Sequence, residues 1–410
     1  MSWLFASDAP YIKTDQQKDL VRKHRYQGAC LSYSYHLFYS PLTEAVVSRL
    51  PRTIAPNTIS LIGFLFNFFP HIMIVALYGS DMGGEISPWF CHFLGIAFFI
   101  YMVCDNSDGK QARRTGTSSP LGMLLDHGMD SVTAVINNFI LQRVMNIGNG
   151  YLNIFAMLVS TMPFYFAVLE QYYTGELVLQ VVNGVDDGSF GYIGLCFATG
   201  IYGGAIWAEK YEVFGYPPTQ LNHIMIYILF AILAVKRNSE QFRAVYRLPT
   251  LISHAVWYLI NAAIFLTAAK LSPADIMTSH PRRVMYAFGF QFILMALRIQ
   301  LSGVTREIFN PFRRTPLIAW VVLTAHIASV WCTGHAFMDE ALMYLILDLV
   351  SLFSLLHFII HVQYELKTIL GINLLTMTPK QLARQGELLK MEKEAEAQVL
   401  KAMMEKKKQK

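Results

Sequence analysis

Long apolar runs separated by short polar interruptions dominate the chain. Ten stretches approach the roughly 20 mainly apolar residues that a bilayer crossing needs. They lie near 57–78, 88–105, 119–146, 150–173, 190–207, 219–236, 249–270, 283–303, 314–334 and 341–367. The fifth and sixth are the shortest. Backbone groups in lipid have no water to bond, so a spanning segment of this length must be helical. The pattern predicts an all-α, polytopic membrane protein of about ten transmembrane helices. The predicted units are an amphipathic segment over 1–56, a bundle of six helices over 57–236, four further helices over 237–367 and a basic tail over 368–410. The first unit mixes Lys18, Arg22, Lys23 and Arg25 with Leu20, Val21, Tyr26, Leu31, Tyr33 and Phe38, a composition suited to an interface. The tail KQLARQGELLKMEKEAEAQVLKAMMEKKKQK reads as a solvated or membrane-skimming helix.

Composition agrees with this reading. Hydrophobic residues make up 54% of the 410 positions and charged residues 15%, where a soluble domain carries about a quarter charged. Five cysteines, Cys30, Cys91, Cys104, Cys196 and Cys332, are widely spaced without a CxxC pair, which argues against a disulfide framework or a zinc site. The start MSWLFASDAP lacks the pattern of a cleaved signal peptide, so the first membrane helix is expected to direct insertion. Basic residues cluster before the first helix and in alternate connections, at Lys110, Arg113 and Arg114, at Lys236, Arg237, Arg243 and Arg247, and at Arg306, Arg313 and Arg314. Lys270, Arg282 and Arg283 dissent. The majority predicts both termini in the cytosol.

One stretch breaks the apolar pattern. Residues 104–131 read CDNSDGKQARRTGTSSPLGMLLDHGMDS. Asp105 and Asp108 are three apart, Asp126 and Asp130 four apart, so each pair shares a helix face. Ser119 and Pro120 suit an N-cap and first helical position, which places Asp126 and Asp130 in the first turns of the third helix. Four carboxylates at adjoining helix ends repel one another and are costly at membrane depth. Divalent cations resolve the conflict. A hard oxygen set suits Mg²⁺ or Mn²⁺, singly or as a pair, and two such ions would clamp an in-line displacement at phosphorus. Gly109 and Ala112 leave room for a nucleotide, Gly122 clears space one turn before Asp126, and Arg113 offers a planar fork to phosphate. Lys110 and Arg114 read as surface charges that set orientation.

These residues carry a resemblance. Asp105-x-x-Asp108-Gly109-x-x-Ala112-Arg113-x8-Gly122-x3-Asp126-x3-Asp130 is similar to the signature of the CDP-alcohol phosphotransferase family. HRYQGACLS (24–32), SPL (40–42), IAPNTISLIG (54–63) and His127 resemble the eukaryotic choline/ethanolamine phosphotransferases. VVNGVDDG (181–188) and HVQYELKTILGI (361–372) agree more loosely; Cys30 stands where relatives are often acidic, and Asp186-Asp187 where the VVNG stretch often continues to a glutamate.

The resemblance implies transfer of phosphocholine or phosphoethanolamine from CDP-choline or CDP-ethanolamine to diacylglycerol, with release of CMP. It implies Asp105, Asp108, Asp126 and Asp130 as metal ligands, with Asp130 shared with proton removal, and Asn57 near the nucleotide. It also implies an endoplasmic reticulum or Golgi membrane, membrane lipid as a partner, no nucleic acid, and lipid access or homodimer contacts from the last four helices. His127, which titrates near neutral pH when unperturbed, is the candidate general base. Asp187 is the candidate to orient it, with Asp186 and Glu176 as alternatives. Arg298, His326, Asp348 and His357 are expected to pair across the bundle or a dimer interface.

Three rivals remain open on the residues. A family member using another alcohol or acceptor differs only in substrate. An ion-coupled transporter would place its acids near the midplane on broken helices. An intramembrane aspartic protease needs two facing aspartates, not four.

Overall fold

A computed structural model of the protein describes residues 9–26, 28–212, 217–236, 249–387 and 389–390. All ten expected helices appear. They are preceded by two shorter ones, α1 (Asp15–Lys23) and α2 (Ser40–Arg49). The bundle then runs α3 (Pro56–Tyr78), α4 (Pro88–Thr115), α5 (Pro120–Val144), α6 (Leu152–Thr174), α7 (Asp186–Tyr202) and α8 (Leu221–Lys236). After it come α9 (Pro249–Lys270), α10 (Pro281–Thr305), α11 (Arg314–Thr333) and α12 (Glu340–Leu370). Among the described residues six helices, α3, α4, α6, α10, α11 and α12, are long and apolar enough to cross a membrane by length and composition. The protein is a polytopic, all-α membrane protein. Among the described residues the strands form two short pairings, Gly28–Cys30 parallel to Leu177–Leu179 and Lys210–Tyr211 antiparallel to Thr219–Gln220. Arg237, Arg243, Arg247 and the tail beyond Lys390 lie outside the described residues.

The main departure concerns α4. Its apolar run was expected to end near residue 105, with the basic residues in a loop. The helix instead continues to Thr115. Gly116 then adopts a left-handed conformation (φ 62°), and Thr117 N bonds back to Ala112 O at 2.9 Å, a glycine-terminated cap. Charge marked the end of the membrane run, and the glycine marks the end of the helix. Lys110 and Arg114, read as surface charges, have interior work. Lys110 Nζ donates to Ser40 O (2.7 Å), Ser40 Oγ (2.8 Å) and Glu44 Oε1 (3.1 Å). Arg114 Nη1 donates to the Val47 and Leu50 carbonyls at 2.5 and 2.8 Å, satisfying orphan groups at the end of α2. Buried Gln111 donates to Pro51 O and Ile54 O. The amphipathic α2 is thereby clamped along α4. Lys110 also holds the Glu44 carboxyl below the usual carboxylate range, through its hydrogen bond first and its charge second.

The C-terminal helices are not a separate layer. Of the apolar stretch of α10, 83% is buried, against 28% for α11 and α12. α10 packs antiparallel against α5 through small residues. A Cβ on Gly128 would meet Leu297 at 3.0 Å, and one on Gly289 would meet Val135 Cγ1 at 2.8 Å. Close backbone approach of this kind is how helices associate in lipid, where burial of apolar surface gives no drive. Polar residues of the last helices pair within the bundle. Arg298 stacks between Tyr11 and Phe358, and His357 Nδ1 meets Tyr11 Oη at 3.0 Å. His326 lies 3.4 Å from Glu340, while Asp348 is buried.

On the other side of the bundle, a Cβ on Gly63 of α3 would meet Cys104 Cβ of α4 at 2.5 Å. Neither partner is a flexible chain end, so Gly63→Ala should force the two helices apart. The expected destabilisation is about 1–3 kcal/mol, read as a lower thermal midpoint in detergent. An unchanged midpoint would show that the seam can absorb a methyl group.

Candidate active site

The ends of α4 and α5 meet at one side of the bundle. Continuation of α4 through Thr115 puts Asp105, Asp108, Gly109, Ala112 and Arg113 on one uninterrupted helix. Ser119 caps α5, accepting from Gly122 N at 3.2 Å, with Pro120 at the first position. These are the cap and first residue that the sequence indicated. Residues 116–119 make the turn between the two helices, so the acid pairs face each other across a fixed elbow.

Carboxylate oxygens of Asp105, Asp126 and Asp130 lie within 4.8 Å of one another. Asp108, buried on the same helix as Asp105, is close enough to interact electrostatically with Asp126 and Asp130. Among the described residues, hydroxyl donors reach this group from two helices. Tyr101 Oη donates to Asp130 Oδ1 at 2.6 Å, and Ser60 Oγ donates to Asp108 Oδ2. One hydrogen bond each does not offset the repulsion of four carboxylates held this close. The all-oxygen donor set and its spacing fit a divalent cation, and these residues are the ones that would hold it.

The other expected residues lie on α4, α5 and the start of α3. Arg113 folds back along α4, where a Cβ on Gly109 would meet its Nη1 at 3.3 Å. It lines a cavity of about 420 Å³ with Tyr35, Ser40, Glu44 and Lys110. Ala112 is half-buried on the same helix. Asn57 Oδ1 stands where a Cβ on Gly122 would meet it at 3.0 Å, and its Nδ2 donates to Leu374 O at 2.8 Å. His127 is buried.

The ring facing His127 belongs to Tyr26, edge-on at 5.5 Å between centroids. Asp187 lies elsewhere. It accepts from Ser34 Oγ and from Asn183 N at 2.7 Å. Buried Asp186 accepts from Asn183 Nδ2 at 2.9 Å and takes a contact from Cys30 Sγ at 3.3 Å, and Glu176 is exposed.

Three residues near the cluster had no assigned role. Tyr26 and Ser60 lie inside the HRYQGACLS and IAPNTISLIG segments, and Tyr101 stands one turn before Asp105. That i, i+4 spacing and those segments were the available signals. The Tyr26 hydroxyl turns in against Gly28. The residue is 44% exposed, but desolvation of its inward-turned hydroxyl, then the charges of Asp126 and Asp130, raises its phenol above its ordinary range.

A membrane-embedded helical bundle with a carboxylate cluster between two adjacent helices, set back along both from the turn that joins them, is the class that fold and geometry define. Residues 53–235 match the family model described as CDP-alcohol phosphatidyltransferase. An "uncharacterized CDP-alcohol phosphatidyltransferase class-I family protein 3" of Dictyostelium discoideum is 29% identical over 391 residues, covering 88% of this chain and 97% of its own. Choline/ethanolaminephosphotransferase 2 of Arabidopsis thaliana is 29% identical over 385 residues, with 88% and 97% covered. Cholinephosphotransferase 1 of Saccharomyces cerevisiae is 28% identical over 215 residues, covering 52% and 54%.

Asp126→Asn should weaken Mn²⁺ binding on the order of tenfold or more, while Tyr101→Phe should cost less, because it removes a donor and no ligand. Paramagnetic resonance of free Mn²⁺ reads both. Equal affinity in wild type and Asp126→Asn would exclude this cluster as the cation site.

Proposed function

We propose that the protein transfers phosphocholine or phosphoethanolamine from CDP-choline or CDP-ethanolamine to diacylglycerol, releasing CMP and forming phosphatidylcholine or phosphatidylethanolamine. The observation that carries the reading is the carboxylate cluster between α4 and α5, inside the stretch that matches the family model. The named activities of the Arabidopsis and yeast relatives point to the same donors.

In this reading Asp105, Asp108, Asp126 and Asp130 hold two Mg²⁺ or Mn²⁺ ions. Bound there, divalent cations neutralise the diphosphate and the charge that builds up as its bond breaks. Arg113 offers its guanidinium to phosphate oxygens at the mouth of the elbow. Gly109, Ala112 and Gly122 keep that mouth free of bulk, and Asn57 borders the nucleotide beside Gly122. The acceptor hydroxyl attacks the β-phosphorus in line with the departing CMP oxygen. His127 takes the hydroxyl proton as the new P–O bond forms, and Asp130 is the alternative base. Tyr26 closes over the His127 ring and limits its orientation. The catalytic unit is 57–236, served by the helices of 237–367 and flanked by 1–56 and 368–410.

The lipid acceptor enters sideways from the bilayer, and the soluble nucleotide enters from the cytosol. The site faces the cytosol of an endoplasmic reticulum or Golgi membrane, with both termini on that side. The packing of Tyr11 and Ile12 against Glu365 supports a shared side for the described chain ends.

CMP release by the purified protein, with diacylglycerol and Mg²⁺ or Mn²⁺, tests the reading with both donors in parallel. Cation-dependent release that Asp126→Asn abolishes is the expected result, and the donor ratio names the product. His127→Ala should lower kcat by about 10²–10⁴-fold and leave CMP binding intact. Full turnover in that variant would pass the base role to Asp130. Absence of release with either donor would move the proposal to another CDP-alcohol or acceptor.

A further inference from the structure

The described part of the tail does not leave the bundle when α12 ends. Gly371 (φ 63°) turns the chain at Leu370, and the segment that follows lies back across the helix ends bearing the site. The Leu374 carbonyl accepts from Asn57 Nδ2 at 2.8 Å, and the Leu375 carbonyl from Thr58 Oγ1 at 2.6 Å. Met377 is buried, and Gln385 is only 4% exposed. Gln385 Nε2 donates to the carbonyl of Thr115. A buried amide is costly unless it is bonded; Gln385 is anchored through Nε2 alone, its buried Oε1 having no hydrogen-bond partner among the described residues.

Each anchor abuts an element of the site. Thr115 is the last residue of α4, and its hydroxyl meets that of Thr117 at 2.8 Å inside the α4–α5 elbow. Asn57 opens α3 and touches the Gly122 position one turn before Asp126. The beginning of α3 and the elbow are covalently remote, but the tail grips both, across 317 and 270 residues of sequence.

We propose that residues 374–385 form a strap that fixes the start of α3 against the α4–α5 elbow, with Thr58 and Gln385 as positioning residues for the nucleotide end of the substrate. The inference rests on the CDP-alcohol reading above. The strap holds the mouth of the site in one arrangement. Without it, the binding-competent arrangement becomes a fraction of the population and apparent nucleotide affinity falls by that fraction. The carboxylates themselves, set by the α4–α5 packing below the mouth, keep their spacing.

The test compares Thr58→Val, Thr58→Ser, Gln385→Glu and the Thr58→Val/Gln385→Glu double variant. CMP affinity is measured by calorimetry with Mn²⁺ present, and Mn²⁺ affinity is measured without nucleotide. Thr58→Val and Gln385→Glu should each raise the Kd for CMP about five- to tenfold. Thr58→Ser, which keeps the hydroxyl, should match wild type. The double variant should be no worse than the poorer single one, because both act through one unit. Mn²⁺ affinity should move less than about twofold, since only the mouth loosens. Wild-type CMP affinity in the double variant would overturn the proposal, and so would a parallel loss of Mn²⁺ affinity, which signals general loosening. A wild-type protein that binds Mn²⁺ but no CMP would remove the nucleotide reading, and the strap's role with it.

Discussion

Repulsion among four carboxylates held between two adjacent helices is the constraint around which the rest is arranged. Left alone, Asp105, Asp108, Asp126 and Asp130 would drive α4 and α5 apart. The fold opposes this with rigid neighbours rather than compensating charge. Gly63 seats α3 against α4 at Cys104, the residue before Asp105. Ser60 and Tyr101 reach in with hydroxyls, and α10 backs α5 at Gly128. The basic residues nearest in sequence are largely turned away from the acids, Lys110 and Arg114 being committed to α2. The acids are thus held close with their negative charge available to a cation, an arrangement stable packing alone would not select.

Much of this was legible in the sequence because its strongest signals are local. Apolar runs placed all ten helices, and Ser119-Pro120 placed the start of α5. The spacing of the aspartates placed three of them within 4.8 Å. The misreading of Lys110 and Arg114 has one cause, which is that charge was treated as a mark of surface. Lys110, Gln111 and Arg114 continue α4 because each finds carbonyl or carboxylate partners on the α2 side. That partnership depends on how α2 folds back, which no local pattern encodes. The same holds for Asp187. It lies close to the site in sequence logic, yet it serves the Ser34 and Asn183 turn that joins the N-terminal segment to α7. The contact between Asn57 and Leu374 spans 317 residues and left no mark on composition or periodicity.

The division of the chain into a catalytic bundle and accessory helices also changes meaning in three dimensions. α10 belongs by sequence to the accessory set, yet it is the most buried of the six apolar helices and shares a core with α5 and α6. Tyr11 and Ile12 reach α12 through Glu365. The accessory helices therefore serve as a wall of the catalytic bundle. A change deep in α10 acts on α5, and so on the acids that α5 carries.

The close contacts of Gly128 with Leu297 and of Gly289 with Val135 occur at two levels of the same antiparallel pair. Two such contacts lock the register, because a slide of one turn would bring side chain onto side chain at both. The depth of Asp126 and Asp130 is then referenced to α10 and not to the lipid around them. Bilayers differ in thickness by several ångströms between compartments, and proteins meet such mismatch by tilting or by deforming the lipid. In this protein a thinner membrane would tilt α5 and α10 as one body. The vertical offset between the acids and the neighbouring helix wall would persist, so its working geometry travels with the protein from one membrane to another.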